Sequence, residues 1–129
     1  MKKIILITGL FLGLSAQAAK ERIDCTISEF MGGKHINNSV TVLAENDPHG
    51  ALITFNGSLF PEISGFVSLL QNDDKFFAVL SIYSEKSASN SSGQYQMVAN
   101  EQYAQIQLVM PSSSSQLSGV EILCQFFKE

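Results

Sequence analysis

The chain has 129 residues, 45% of them apolar and 16% charged, with eight basic and twelve acidic side chains and a formal net charge of −4. An acidic balance argues against nucleic acid and against anionic membrane surfaces, both of which select Lys and Arg. Tryptophan is absent, and aromatic cages favour it, so a carbohydrate module is disfavoured, although Tyr83, Tyr95 and Tyr103 remain.

The N-terminus reads as a cleavable secretory signal. Lys2 and Lys3 are followed by an apolar run from Ile4 to Leu14, and Ala16-Gln17-Ala18 supplies a small-residue cleavage site. The run is too short to span about 30 Å of hydrocarbon. We therefore expect residues 1–18 to be removed, with no stable membrane anchor afterwards, and residues 19–129 to form a single β-domain that is periplasmic or secreted. The mature chain keeps six basic and twelve acidic residues, a net charge of −6.

Period-two alternation runs through the mature chain and predicts half-buried strands. Ile23, Cys25 and Ile27 alternate with Asp24, Thr26 and Ser28. Val40, Val42 and Ala44 form the next apolar set, and Ala51, Ile53 and Phe55 the third. Apolar runs at 63–71 and 75–84 flank Asn72-Asp73-Asp74, which reads as a hairpin turn; a short helix after Pro61 is the alternative for the first run. Tyr95, Met97 and Ala99 follow, then Ala104 to Met110, then Val120, Ile122, Cys124 and Phe126. Gly32-Gly33, residues 46–50 and Asn56-Gly57 are turn chemistry, and serine-rich stretches at 85–93 and 111–115 read as solvated loops. The prediction is an all-β fold of about eight antiparallel strands, a small barrel or a sandwich. A membrane-spanning barrel is disfavoured on two grounds: several strands look shorter than the roughly 9–11 residues it needs, and their second faces carry Gln, Thr and Ser.

An even cysteine count in an exported chain reads as a disulfide. Cys25 and Cys124 each share the phase of the apolar residues of their own strand, so both should point inward and bond to each other.

Chemistry is otherwise sparse. No nucleophile elbow, zinc-protease helix motif or phosphate loop occurs. His49 with Asp47, Glu45 and His35 has the residue types of a zinc site, but Asp-Pro-His-Gly is ordinary turn sequence. Glu21, Asp24 and Glu29, or Asp73-Asp74, have the residue types for acid–base work, yet acids in turns are usually solvated. Asn37, Asn56 and Asn90 begin glycosylation triplets, which matter only in a glycosylating cell. We expect no catalytic residues, no metal and no cofactor.

Two strands are apolar on both faces. Phe77, Val79 and Tyr83 lie opposite the core phase of 75–84, and Leu123 and Phe127 opposite that of the last strand. Either a second layer, a long loop or the Ile63–Leu70 segment covers them, or they form a patch for a protein partner or for self-association, with an apolar ligand cavity as the remaining possibility. Separately, Cys25, Cys124 and Ser92-Gly93-Gln94-Tyr95 resemble the small periplasmic inhibitors of C-type lysozymes, which carry a Ser-Gly-Lys/Arg-like loop before a Tyr. Gln94 stands where that family has a basic residue, and its downstream Trp- and Lys-bearing motif is missing. The resemblance implies an enzyme inhibitor acting through an exposed loop at 85–93.

Overall fold

The computed structural model describes residues 21–44, 51–110 and 117–128. The signal segment with its cut after Ala18, the 46–50 turn with His49 and Asp47, Glu45, and the 111–115 serine stretch lie outside the described residues. The described residues form eight strands and no helix: β1 (Arg22–Met31), β2 (Lys34–Leu43), β3 (Ala51–Asn56), β4 (Ile63–Asn72), β5 (Lys75–Ser84), β6 (Ser89–Met97), β7 (Tyr103–Met110) and β8 (Ser118–Phe127).

The strands form two antiparallel sheets. The terminal sheet has the order β2-β1-β8-β7 and the central sheet the order β3-β4-β5-β6. One apolar core lies between them, drawn from the inward phase of both, including Ile23, Val67, Leu80, Ile122 and Phe126. Phe76 of β5 and Phe126 of β8 meet across it, ring centroids 5.5 Å apart. The apolar phases read from the sequence face this core, with Val40, Ile53, Phe55, Tyr95 and Met110 half-buried at its margin; Ala99 is the exception, exposed beyond the end of β6.

The alternative of a closed barrel is corrected: the ladder is interrupted between β2 and β3 and between β6 and β7. At the second seam the physical cause is visible. Leaving β6, the turn donates the Val98 and Ala99 N–H groups to the Gln102 side-chain carbonyl, at 2.8 and 3.2 Å. The next residues pair with β8 instead of β6. The Glu101 N–H donates to the Phe126 carbonyl and the Phe126 N–H to the Gln102 carbonyl, each at 2.7 Å. The Tyr95 hydroxyl, donating to the Gln105 carbonyl at 2.6 Å, is one bond that crosses this seam.

Strand extends through two polar stretches that show no apolar alternation. β2 starts at Lys34, so the polar Lys34–Ser39 segment is extended, in register with Thr26 to Met31 of β1. The 85–93 loop shrinks to a turn at 85–88, and Ser89 to Gly93 pair with Ser84 to Leu80 of β5. Residues 63–71 are strand and not helix. Five strands have ten residues, within the roughly 9–11 that a membrane strand needs, while β3 with six and β7 with eight are shorter. Gly32 and Gly33 both have positive φ, 51° and 96°, as a two-residue hairpin matched to strand twist requires.

Candidate functional site

The first feature is covalent. Cys25 and Cys124 are bonded and lie directly opposite each other in the β1–β8 ladder, so the bridge ties the first strand to the last over a separation of 99 residues. Both are buried.

The second is a buried carboxylate. Glu29 follows Ile23, Cys25 and Ile27 in the inward phase of β1 and is 2% exposed. Its oxygens accept the backbone N–H of Ser58 at 2.8 and 3.0 Å, of Leu59 at 3.0 Å and of Phe60 at 3.3 Å. A terminal-sheet side chain thus holds the loop that joins β3 to β4 in the central sheet. Gly57 makes the approach possible: a Cβ there would sit 2.2 Å from the Phe60 carbonyl oxygen and 2.8 Å from a Glu29 oxygen. Successive backbone N–H groups form a concavity suited to an anion, and Glu29 fills it from within the chain. Asp24, two and a half strand pleats away, faces the other side of the sheet, where it accepts from Thr41 Oγ1 at 2.9 Å and from Arg22 Nε at 3.3 Å. These two acids therefore do not meet. Asp73 and Asp74 are exposed in the β4–β5 turn, and His35 is exposed on β2.

The third is the outer face of the central sheet. Phe77, Val79 and Tyr83 of β5 all point there, out of phase with buried Phe76, Ala78, Leu80 and Ile82. The Ile63–Leu70 segment does not cover them. It belongs to β4, beside β5 in the same sheet, and adds Phe66 and Leu70 to the same face. Register then aligns Leu52, Ser68, Val79 and Gln94 in one row across all four strands. Leu52 is 55% exposed and Tyr83 43% exposed, while Phe66, Leu70, Phe77 and Val79 are half-buried and Ser68 beneath them is buried. The face ends on β6 in a polar column of Asn90, Ser92, Gln94 and Gln96, all exposed.

Leu123 and Phe127 are elsewhere. They point out from β8 in the terminal sheet, so the five residues do not form one patch. The Arg22 guanidinium lies 4.5 Å from the Phe127 ring centroid and covers it. Leu123 contributes to an open groove of about 410 Å³, where it and Val40 and Tyr103 stand among Asp24, Thr41 and Gln125, a lining that mixes apolar and polar side chains. Among the described residues, no cluster of three or more His, Cys, Asp or Glu side chains has metal-binding geometry. Ser92-Gly93-Gln94-Tyr95 is part of strand β6, with the Tyr95 ring packed over Gly93.

Sequence reasoning missed Leu52, Phe66 and Leu70 as members of the central face. A signal was available for Phe66 and Leu70, which alternate with Val67 and Leu69 in the hairpin reading of 63–71, but the nearly continuous apolar run there does not mark which phase faces the core. The class defined by these observations is a disulfide-closed, two-sheet antiparallel β-protein. No family model, curated protein or solved structure matches the chain.

Proposed function

We propose that this chain is a non-catalytic binding module of an exported compartment, periplasmic or extracellular, and that its working surface is the outer face of the central sheet. The observation that carries this reading is the composition of that face: Leu52, Phe66, Leu70, Phe77 and Val79 stand together on one sheet surface, bordered by neutral amides and hydroxyls. Interface centres are depleted of charge and enriched in aromatics, and contiguous exposed apolar surface marks interaction sites. Export is supported by the signal-like N-terminus and by the Cys25–Cys124 bond, which persists in oxidising compartments.

Two experiments test the two halves. Intact mass of the exported protein should correspond to a start at Ala19 or Lys20; a washed membrane pellet yielding chain that still begins at Met1 would refute export by cleavage. A photo-crosslinking residue at Tyr83 should capture protein in the native envelope, and one at Tyr103, 58% exposed on the terminal sheet, should not. Equal yields at the two positions, or none at Tyr83, would remove the central face as the working surface.

A further inference from the structure

We infer that the free edge of β2 accepts an extended segment of a partner polypeptide, which adds a strand to the four of the terminal sheet. This edge is separate from the central face, and the inference does not rest on the preceding reading.

Ladder parity identifies the main-chain groups on this edge. In antiparallel pairing, alternate residues direct both N–H and C=O to one neighbour, and the residues between them direct theirs to the other side. The Ala44 N–H donates to the Glu21 carbonyl at 2.8 Å, one step beyond the Arg22–Leu43 pair of the β1–β2 register. Even-numbered residues of β2 therefore bond to β1. His35, Asn37, Ser39 and Thr41 turn their N–H and C=O groups to the free edge, and no hydrogen bond among the described residues satisfies them.

The core is also open beside this stretch. Asn38 stands opposite Ile27, in the inward phase, yet it is exposed, and its inward neighbours Ile36 and Val40 are half-buried. Only further along, at Val42 and Ala44, does the inward phase become buried. The other edges carry the protections expected of sheet margins. β3 has six residues. At the β6–β7 seam, side chains reach edge carbonyls: the Gln102 amide donates to Gln96 at 3.2 Å, and the Tyr95 hydroxyl to Gln105 at 2.6 Å. β2 has ten residues in unbroken one-to-one register, no proline and one formally charged residue, Lys34, at its end.

These features specify the occupant. A row of unpaired N–H and C=O groups at strand spacing is matched by an extended backbone, whereas a helix, whose own main chain is already bonded, leaves the row unpaired. The side chains of an added strand alternate between two surroundings. Those on the inner side lie beside Ile36 and Val40 at the open margin of the core, which favours aliphatic residues. Those on the outer side lie beside Asn37, Ser39 and Thr41, which favours small neutral polar residues.

The test is amide exchange on the full mature protein with its disulfide intact. The probe is the end-blocked peptide Lys-Thr-Val-Thr-Val-Thr-Val-Thr-Lys, methylated at its valine nitrogens. The methyl groups leave one bonding edge, on the threonines, and prevent the peptide from stacking on itself. In the free protein, His35, Asn37 and Ser39 should exchange fast and Ile36 and Asn38 slowly. Peptide at roughly ten times its Kd should slow the first three about tenfold. The isomer methylated at the threonines should not. Asn37→Pro removes an edge-facing N–H and no ladder bond, so it should abolish the response at an unchanged melting temperature. Asn38→Pro removes a bond to β1 and should lower that temperature. Slow exchange at His35, Asn37 and Ser39 without peptide would overturn the inference: independent of protein concentration, it means the chain covers its own edge, and rising with concentration, it gives the edge to a second copy. No response up to the solubility limit of the peptide, an equal response to the threonine-methylated isomer, or an undiminished response in Asn37→Pro would also overturn it.

Discussion

Replacing Cys25 and Cys124 together by alanine should lower the unfolding free energy by roughly 2–5 kcal/mol, the usual cost of removing a native bridge from a small exported protein. For a chain of this size that corresponds to a fall in melting temperature on the order of 10–20 °C. The loss acts mainly through the unfolded state. In the folded chain the β1–β8 ladder already holds the two residues opposite each other, so removing the bond takes away little folded-state contact. In the unfolded chain the bond joins segments 99 residues apart, and releasing it restores the entropy of a long loop. The variant should therefore keep the native circular dichroism spectrum while its urea m-value rises, because the unfolded ensemble expands. Because both cysteines are buried, dithiothreitol should not reduce the native wild type until the chain opens. Coincident urea curves for wild type and variant would refute this account.

Glu29→Ala should be comparably severe, at roughly 3–5 kcal/mol, because it strands three buried or half-buried N–H donors and removes a charged acceptor shared among them. The damage should be local before it is global. Amide exchange at Ser58, Leu59 and Phe60 should accelerate more than exchange in the β4–β5 ladder, since opening of the loop no longer breaks bonds to the carboxylate. Glu29→Gln keeps one acceptor but turns an NH₂ toward the same donors, so its cost should be intermediate. Gly57→Ala should resemble Glu29→Ala, because its methyl group collides with the Phe60 carbonyl and with the carboxylate. If exchange at 58–60 in Glu29→Ala matches wild type, the carboxylate does not hold the loop.

Much of this was legible along the chain. Alternation identified the buried phase of each strand, because side-chain direction in a strand depends only on parity. The same parity, with the even cysteine count, indicated an inward Cys25–Cys124 bridge. Turn residues placed the hairpins at Gly32-Gly33 and Asp73-Asp74, where the local backbone preference is strong. Polar strands were less legible. Nothing in Lys34–Ser39 or Ser89–Gly93 favours extension locally, and these segments are strands because β1 and β5 offer them ladder hydrogen bonds.

Parity also put Glu29 in the buried phase of β1, where it could have been noticed as a polar residue among core positions. Its three amide partners lie about thirty residues away, and no local pattern encodes that meeting. The same limit applies to Phe77, Val79 and Tyr83 against Leu123 and Phe127. The sequence alone determined that these side chains point away from the core; their assignment to two different sheets was a tertiary outcome. Alternation specifies a side of the strand, whereas hydrogen-bonded pairing specifies which strands are neighbours, and pairing is set by contacts between residues far apart in the chain. The ends of the ladder were decided in the same way. The backbone at 101–102 bonds to Phe126 of β8 and not to β6, so the eight strands divide into two sheets instead of closing into a barrel.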